Sequence, residues 1–456
     1  TRFIDQSWKA IQKVGSFFVL PRNLNESFRF SNVIPRIMNI SLRQIYSRLS
    51  LNLSQLVNCS NLGCLQRSST NFFLPQSNLV TVSNQTFENG FFKTKPFPYK
   101  TKSYTKLHVM FPFLDPTDVR INKNSKIITV EGNIGSKKEE FCKSMADAFG
   151  LHYMPEPKIE EIFINPYGFD YRTLNQYIHP KLWAIDEKLY YENPHHPAVS
   201  WLKIYFYKIR YLQYLDALTH LFNTGEGIVL ERSPFTDFVF ADAMYKCGFL
   251  PKDVYDFYFR LRFDTIHHLK RPQLIIYLDT DVDLCLKRIK ERGIEHEVKS
   301  KVLSKQYLQE IENSYKNLYL EEANKYSEIA VFKWNNVNSM KDIVNDISKI
   351  NLDEWDMNED KFCDWNYYFI EALHENRYDY TNKKSLMLES FNDLGMEDIE
   401  SLCCEFDDIG HRNEVYESMV PNYNIIPTDK TNLFQLLFSW PSKTIQAAYN
   451  TRYPFY

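Results

Sequence analysis

The chain has 456 residues, of which 44% are hydrophobic, 16% aromatic and 24% charged, and its formal net charge at pH 7 is −3. This length and composition allow two or three domains, or one large domain with extensions. The small net charge argues against a nucleic acid or an anionic membrane as the partner. No run of about 18 apolar residues occurs, which predicts that no segment spans a membrane. The eight cysteines form no C-x-x-C pair, so we expect a reducing compartment.

The first part of the chain has the composition of a targeting sequence. No acidic residue occurs between Glu26 and Glu88, and the piece that begins at Met38 is rich in serine and arginine. Such a segment is typical of a mitochondrial transit peptide. We expect Met38 to be the natural start, residues 1–37 to be upstream or disordered sequence, and 38–105 to be a transit peptide with a linker. A disordered polar tail without targeting function is the alternative.

Beyond residue 120, short β-branched runs alternate with helical stretches, one of which is a long apolar helix at 200–222. This pattern predicts a parallel sheet covered by helices on both faces. The predicted strands are 126–131, 151–155, 227–232, 273–279 and 328–334. Ligands bind at the carboxyl ends of such strands. The loop after the first strand, Glu156 after the second and Arg232 at the end of the third all fall at that edge.

The loop GNIGSKKE, residues 132–139, stands between a strand and a helix, where a phosphate-binding loop of the form G-x-x-x-x-G-K-[ST] is expected. Lys137 replaces the second glycine of this pattern, and Glu139 replaces the hydroxyl that holds magnesium. Backbone N–H groups of such a loop cradle phosphates, and its lysine reaches the terminal ones. The candidate phosphate contacts here are Gly132, Asn133, Ile134, Gly135 and Lys138. The two replacements predict poor use of ATP.

Four further residues at the sheet edge have the chemistry of a phosphoryl-transfer site. Glu156 could act as a general base, or it could be a surface carboxylate after a strand. In ERSPFTD, Glu231 could bind a metal, Arg232 a phosphate, and Asp237 could orient them. A buried ion pair at the sheet edge is the structural alternative.

Two arginines of CLKRIKERG, residues 285–293, are four positions apart. Arg288 and Arg292 therefore lie on one face of a helix. They could belong to a lid that closes on phosphates, or to a solvated helix face.

Taken together, EGNI, EP, ERS and CLKRIKERG resemble the deoxynucleoside kinase family. A closer resemblance, to kinase-like accessory subunits of mitochondrial complex I, is carried by VLERSPFTDFVFADAMYKCGF (229–249) and YLQEIENSYK (307–316) and extends over about 120–456. It implies a P-loop nucleoside-kinase-like, five-stranded parallel α/β sheet at 106–350. It also implies a helical C-terminal extension at 351–456, whose acidic stretch at 352–365 is either a solvated face or a partner surface.

The chain departs from the kinases of this family at four places: the loop glycine, the loop hydroxyl, a base-reading glutamine that is missing near Val199–Leu202, and a third lid arginine replaced by Ile294. The resemblance therefore implies that Glu156 and Arg232 are vestigial catalytic residues. Glu231 is a vestigial metal ligand, and no metal is expected at the site.

The resulting hypothesis is a non-catalytic accessory subunit of mitochondrial NADH:ubiquinone oxidoreductase that supports assembly or stability. Its expected partners are other subunits at the matrix face of the membrane arm, with peripheral attachment to the inner membrane. The alternatives are an active mitochondrial deoxynucleoside kinase and a nucleotide-sensing subunit. No cofactor is required. A nucleotide could remain bound, because the lysines and arginines would otherwise be uncompensated. A bound flavin is suggested only by the resemblance to this family and not by the sequence itself.

Overall fold

The computed structural model describes residues 95–421, except 166–167, 336–339, 354–359, 368, 390 and 392–398. The predicted transit peptide, up to residue 94, therefore lies outside the described residues. The end of the C-terminal extension, beyond residue 421, also lies outside them.

Five parallel strands form one sheet in the order β2-β3-β1-β4-β5. The strands are β1 (Ile127–Gly132), β2 (His152–Met154), β3 (Ile228–Glu231), β4 (Leu274–Asp279) and β5 (Glu328–Lys333). All five predicted strands are confirmed, each with its ends within one residue. The predicted α/β fold class is confirmed as well. β1 pairs with both β3 and β4, so the later strands are added on opposite sides of β1 while all strands remain parallel. Sheets of this kind bind ligands at the point where the strand order changes side.

The helices connect these strands and cover the sheet. They are α1 (Lys106–Met110), α2 (Lys138–Phe149), α3 (Glu160–Phe163), α4 (Glu187–Glu192), α5 (Val199–Thr224), α6 (Asp237–Lys246), α7 (Lys252–Ile266), α8 (Val282–Arg292), α9 (Glu295–Val298), α10 (Lys305–Ser314), α11 (Leu320–Ala323), α12 (Met340–Ser348), α13 (Ile370–Asn382), α14 (Lys384–Glu389) and α15 (Phe406–Met419). Short 3-10 turns cover Pro112–Leu114, Tyr171–Tyr177, Pro180–Leu182 and Cys363–Trp365, and a π-helical turn covers Tyr315–Tyr319.

Alternate side chains of β1 enter two separate hydrophobic clusters, because successive strand residues point to opposite faces of a sheet. Ile127 packs with buried residues of α5, α6, α7 and α10. Ile128 and Val130 pack on the other face with buried residues of α2 and α12. The apolar helix expected at 200–222 is α5, which is buried along most of its length. These layers hold the carboxyl ends of β1, β2 and β3 in fixed positions.

The described part of the C-terminal extension packs against the rest of the fold. The Thr219 hydroxyl on α5 donates a hydrogen bond to the Tyr380 carbonyl on α13 over 2.8 Å. In the acidic stretch, Asp353 forms an ion pair with Lys126, and Asp364 forms one with Arg271 over 3.0 Å. These two carboxylates therefore form ion pairs with the kinase-like domain of the same chain. Within the described ranges, no helix is both long enough and apolar enough to cross a membrane.

Candidate functional site

A cavity of about 520 Å³ lies at the carboxyl ends of β1, β2 and β3. Most of the residues that the sequence singled out line this cavity: Ile134, Gly135, Lys138, Glu156, Glu231, Arg232, Arg288 and Arg292. Gly132 and Asn133 do not line it. Gly132 is the last residue of β1, and Asn133 is buried behind the loop. The topology therefore brings together four sequence segments, the first and last of which are 158 positions apart, from Ile134 to Arg292.

The phosphate-loop segment is locked by contacts to two helices. The Asn133 side-chain amide donates to the Leu308 carbonyl on α10 over 2.9 Å, and its oxygen accepts from the Ile134 N–H over 2.8 Å. Gly135 has a φ of 80°, and a Cβ there would stand 2.8 Å from the Cys285 carbonyl oxygen on α8. Only glycine fits both the dihedral and the contact. The loop backbone is therefore held in place without a ligand.

Lys137 adopts the left-handed conformation, with a φ of 61° and a ψ of 40°, at the position where the loop pattern has glycine. This conformation costs a non-glycine residue about 1–2 kcal/mol. The Lys137 side chain is half exposed and belongs to the lining of the cavity. Glu139 pairs with Lys143 over 2.6 Å on the exposed surface of α2. The loop thus keeps its backbone course but lacks the hydroxyl that would hold magnesium.

Lys138, the loop lysine, is buried and donates a hydrogen bond to the Asn133 carbonyl over 3.1 Å. Burial and the nearby charge of Arg232 lower the pKa of Lys138 to about 8. Its ammonium group is consequently tied to the loop itself, within reach of an anion placed in the cavity.

Glu156 is held by two arginines. Its carboxylate contacts Arg210 over 2.5 Å and Arg232 over 2.7 Å. Burial alone would raise the pKa of Glu156, but the charges of Arg232 and Arg210 outweigh it and lower the pKa to about 2. Arg232 has a φ of 66°, a strained value for a residue with a side chain. The structure therefore places Glu156 and Arg232 in one ion-pair network.

Asp237, at the start of α6, is the centre of a buried network. It accepts from Lys203 over 2.5 Å and from Tyr258 over 2.7 Å, and it forms an ion pair with Arg210. Asp237 and Lys203 are both almost fully buried. Of the two interpretations drawn from the sequence, an orienting group and a buried ion pair, the contacts of Asp237 correspond to the second. Through Arg210 this network joins that of Glu156.

The two candidate lid arginines, Arg288 and Arg292, make contacts to carbonyl and carboxylate groups of the protein itself. Arg288 donates to the backbone carbonyls of Ser136 (3.4 Å) and Trp334 (3.1 Å), which links α8 to the loop. Arg292 is paired with Glu297 over 3.1 Å. Glu231, the candidate metal ligand, accepts a hydrogen bond from the Tyr153 hydroxyl over 3.2 Å.

Several cavity residues were not predicted from the sequence. They are the cations Lys203 and Arg210 on α5 and the aromatic residues Tyr190, Tyr191, Phe206, Phe240 and Tyr307. A signal for the two cations exists, because they stand seven positions apart in an apolar helix and hence on one face. Charged residues are rarely buried unless they are paired. Their spacing could therefore have indicated a buried site facing α5.

The cavity lining contains as many glutamates as lysines and arginines together. Arg210 and Arg232 share the carboxylate of Glu156, Lys203 and Arg210 share that of Asp237, and Arg292 pairs with Glu297. Of the cations expected to be uncompensated without a nucleotide, Arg232 and Arg292 therefore have acidic partners. Lys138 and Arg288 differ from them. Within the described part of the chain, the hydrogen bonds of both go to carbonyl oxygens.

The depressed pKa of Glu156 predicts a specific acid sensitivity. A carboxyl whose folded pKa of about 2 lies below its unfolded value of 4.5 adds stability above pH 4.5, and this contribution disappears as the pH falls towards 2. Glu156→Gln is expected to lower the free energy of unfolding at pH 7 by about 2–3 kcal/mol. The difference from wild type should shrink between pH 5 and pH 3, as measured by urea unfolding at each pH.

Glu140→Gln serves as the control for this measurement, because the Glu140 side chain is 75% exposed. Its stability should follow wild type at every pH. A Glu156→Gln deficit of the same size at pH 3 and pH 7 would show that the arginines do not act through the charge of Glu156.

Comparison with known proteins agrees with this geometry. The family model described as "Deoxynucleoside kinase" matches residues 128–385, more than half of the chain. The chain is 34% identical over 272 residues to NADH dehydrogenase [ubiquinone] 1 alpha subcomplex subunit 10, mitochondrial, of Mus musculus, covering 59% of this chain and 73% of that protein. The Bos taurus protein of the same name is 33% identical, with 59% and 76% covered.

The similar proteins also include one that is named as an enzyme. Deoxyguanosine kinase of Dictyostelium discoideum is 27% identical over 271 residues, which cover 59% of this chain and 86% of that enzyme. The range matched by the family model includes the loop, the residues after β2 and β3, and α8. The chain belongs to the deoxynucleoside kinase family.

Proposed function

We propose that the chain is a non-catalytic accessory subunit of mitochondrial NADH:ubiquinone oxidoreductase. It is peripheral to the inner membrane on the matrix side, supports assembly or stability of the complex, and requires no cofactor. The observation that carries this proposal is the altered phosphate loop, with Lys137 and Glu139 at its two defining positions, in a chain 34% identical to a subunit of that complex. The kinase fold is then a scaffold.

The physical case against catalysis lies in what the site lacks. Phosphoryl transfer depends on a metal ion and on exact positioning of the phosphates. Glu139 offers no hydroxyl to magnesium, and its carboxylate is turned towards Lys143 on the helix surface. Glu156, with its pKa lowered to about 2, is a weak base at neutral pH, since a general base works best with a pKa near the operating pH.

An exposed apolar segment at 107–114 supports a role within an assembly. Leu107, Met110 and Phe113 are 58%, 69% and 77% exposed. Phe111 and Leu114, in the same segment, are 43% and 55% exposed. Contiguous exposed apolar side chains of this kind mark surfaces that a partner covers. In the proposed role, this segment contacts another subunit of the complex.

An active kinase is the second candidate, because one cavity retains Lys138, Glu156, Arg232 and Arg288. A phosphoryl-transfer assay with ATP, magnesium and each of the four deoxynucleosides separates the two. We expect no product above a blank without protein, under conditions in which a deoxyguanosine kinase turns over. Turnover that Glu156→Gln abolishes would establish the kinase and overturn the proposal.

A chain that does not catalyse phosphoryl transfer can still bind a nucleotide. Lys138 and Arg288 bond to carbonyl oxygens, which a phosphate could replace as partners. Acid extraction of the protein used in the kinase assay, followed by chromatography, would reveal such a nucleotide. Lys138→Met should reduce its amount. Equal amounts in wild type and Lys138→Met would place the nucleotide elsewhere.

A further inference from the structure

Three metal-ligating side chains meet at the amino-terminal edge of the sheet, the edge opposite to the cavity described above. His152 is the first residue of β2, His220 lies in the last turn of α5, and Glu226 lies in the turn that leads into β3. One ring nitrogen from each histidine and one carboxylate oxygen all lie within 4.8 Å of one another. This arrangement is independent of the proposed function.

We propose that His152, His220 and Glu226 bind a zinc ion, with water as a fourth ligand. Two imidazoles and one carboxylate form a ligand set that zinc uses in proteins. Zinc–nitrogen distances of about 2.0–2.1 Å separate tetrahedral ligands by about 3.4 Å. His220 Nε2 and Glu226 Oε2, now 2.8 Å apart, would separate slightly. The two imidazoles, stacked with ring centroids 4.5 Å apart, would tilt so that both nitrogens face the ion.

The orientation of His220 fits this role. Its Nδ1 lies 3.1 Å from the Tyr99 hydroxyl, which leaves Nε2 on the side of Glu226. When Nε2 binds a metal, Nδ1 carries the proton, and its N–H donates a hydrogen bond to the Tyr99 hydroxyl oxygen. Metal-binding histidines regularly have such a partner on the other ring nitrogen, which fixes the tautomer and the ring. Tyr99 is therefore assigned as the positioning residue.

Glu226 is held by a rigid turn. A Cβ on Gly227 would stand 1.9 Å from the Asn124 carbonyl oxygen, so the backbone after Glu226 lies tight against that loop. The Glu226 N–H also donates to the Thr224 hydroxyl over 3.1 Å. The Glu226 side chain is 45% exposed. The ligand is thus fixed by its backbone and open to an ion from solvent.

The charges that surround the site are mixed. Lys100 and Lys102 belong to the segment that carries Tyr99, and Lys384 of α14 forms an ion pair with Asp216 on α5. The alternative is an ordinary hydrogen bond between His220 and Glu226 beside a stacked histidine.

The test titrates ZnCl₂ into the full chain after EDTA treatment and measures heat. Two size-matched variants, Glu226→Gln and His152→Phe, remove one ligand each while keeping the bulk and the stacking. We expect one zinc site in wild type and a loss of affinity of at least about 100-fold in each variant, because loss of an outer-shell partner alone costs about 10–100-fold. His268→Phe is the matched control, because its ring also lies against a neighbouring histidine, His267, at 4.1 Å. Its affinity should equal that of wild type.

Free cysteines also bind zinc, so the ligands are identified with Co²⁺. The proposed site gives a visible spectrum without a near-ultraviolet thiolate band, and Glu226→Gln removes it. Absence of binding in wild type, a thiolate band, or unchanged affinity in both variants would overturn the proposal.

Discussion

Replacing Asp237 with alanine is expected to lower the free energy of unfolding by about 3–5 kcal/mol. Asp237 is fully buried and is the shared partner of Lys203 and Arg210, of which only Arg210 has a second carboxylate, that of Glu156. Removal of the aspartate therefore leaves the Lys203 ammonium buried without an opposite charge. Urea unfolding at pH 7, followed by circular dichroism, measures the loss.

Asp256→Ala, on the neighbouring helix, is the control for Asp237→Ala. Asp256 pairs with Lys252 on an exposed surface, so its loss should change stability by less than about 0.5 kcal/mol. Adding Lys203→Met to Asp237→Ala should recover part of the loss, because the uncompensated charge is then removed. A loss below about 1 kcal/mol for Asp237→Ala would contradict the assignment of a strongly stabilising role to this network.

Replacing Arg377 with alanine is expected to lower the free energy of unfolding by about 3 kcal/mol. The guanidinium of Arg377, on α13, is fully buried. It contacts Asp115 over 2.5 Å and donates to the Asn223 side chain over 2.9 Å, and it stacks on Tyr104 at 3.9 Å. We expect the lower end of the range for buried pairs, because Arg120 still pairs with Asp115 in the variant.

Arg377→Lys separates the contribution of the positive charge to stability from that of the planar guanidinium group. Lysine cannot make the two-sided contacts of a guanidinium, so about half of the loss should remain. The exposed Lys299→Ala should leave stability unchanged. Since Arg377 connects α13 with residues 104–117, its removal should also speed proteolysis between residues 95 and 120. Wild-type stability and proteolysis in Arg377→Ala would contradict this account of how the extension is held.

The strands were predictable because they are short, continuous apolar runs, each flanked by turn residues, as at Ile127–Gly132 and Leu274–Asp279. The positions of Glu156 and Arg232 followed from the same reasoning, since parallel strands end at one edge of the sheet. The partners of these residues were not predictable. Arg210 lies 54 positions from Glu156 and 27 from Asp237, and no local pattern connects them.

The role of α8 illustrates the same limit. The spacing of Arg288 and Arg292 indicated one helix face correctly. It could not show that Arg288 donates to the Trp334 carbonyl 46 positions later, or that Arg292 pairs with Glu297. The contacts of Arg288 depend on where the loops after β1 and β5 lie, and this becomes visible only in the assembled fold.

Membership of this chain in the respiratory complex is tested by gentle solubilisation of mitochondria, native electrophoresis and mass spectrometry of the gel. We expect peptides of this chain to co-migrate with NADH dehydrogenase activity at the mass of the whole complex. Detection only as a free monomer or dimer, away from that activity, would contradict it.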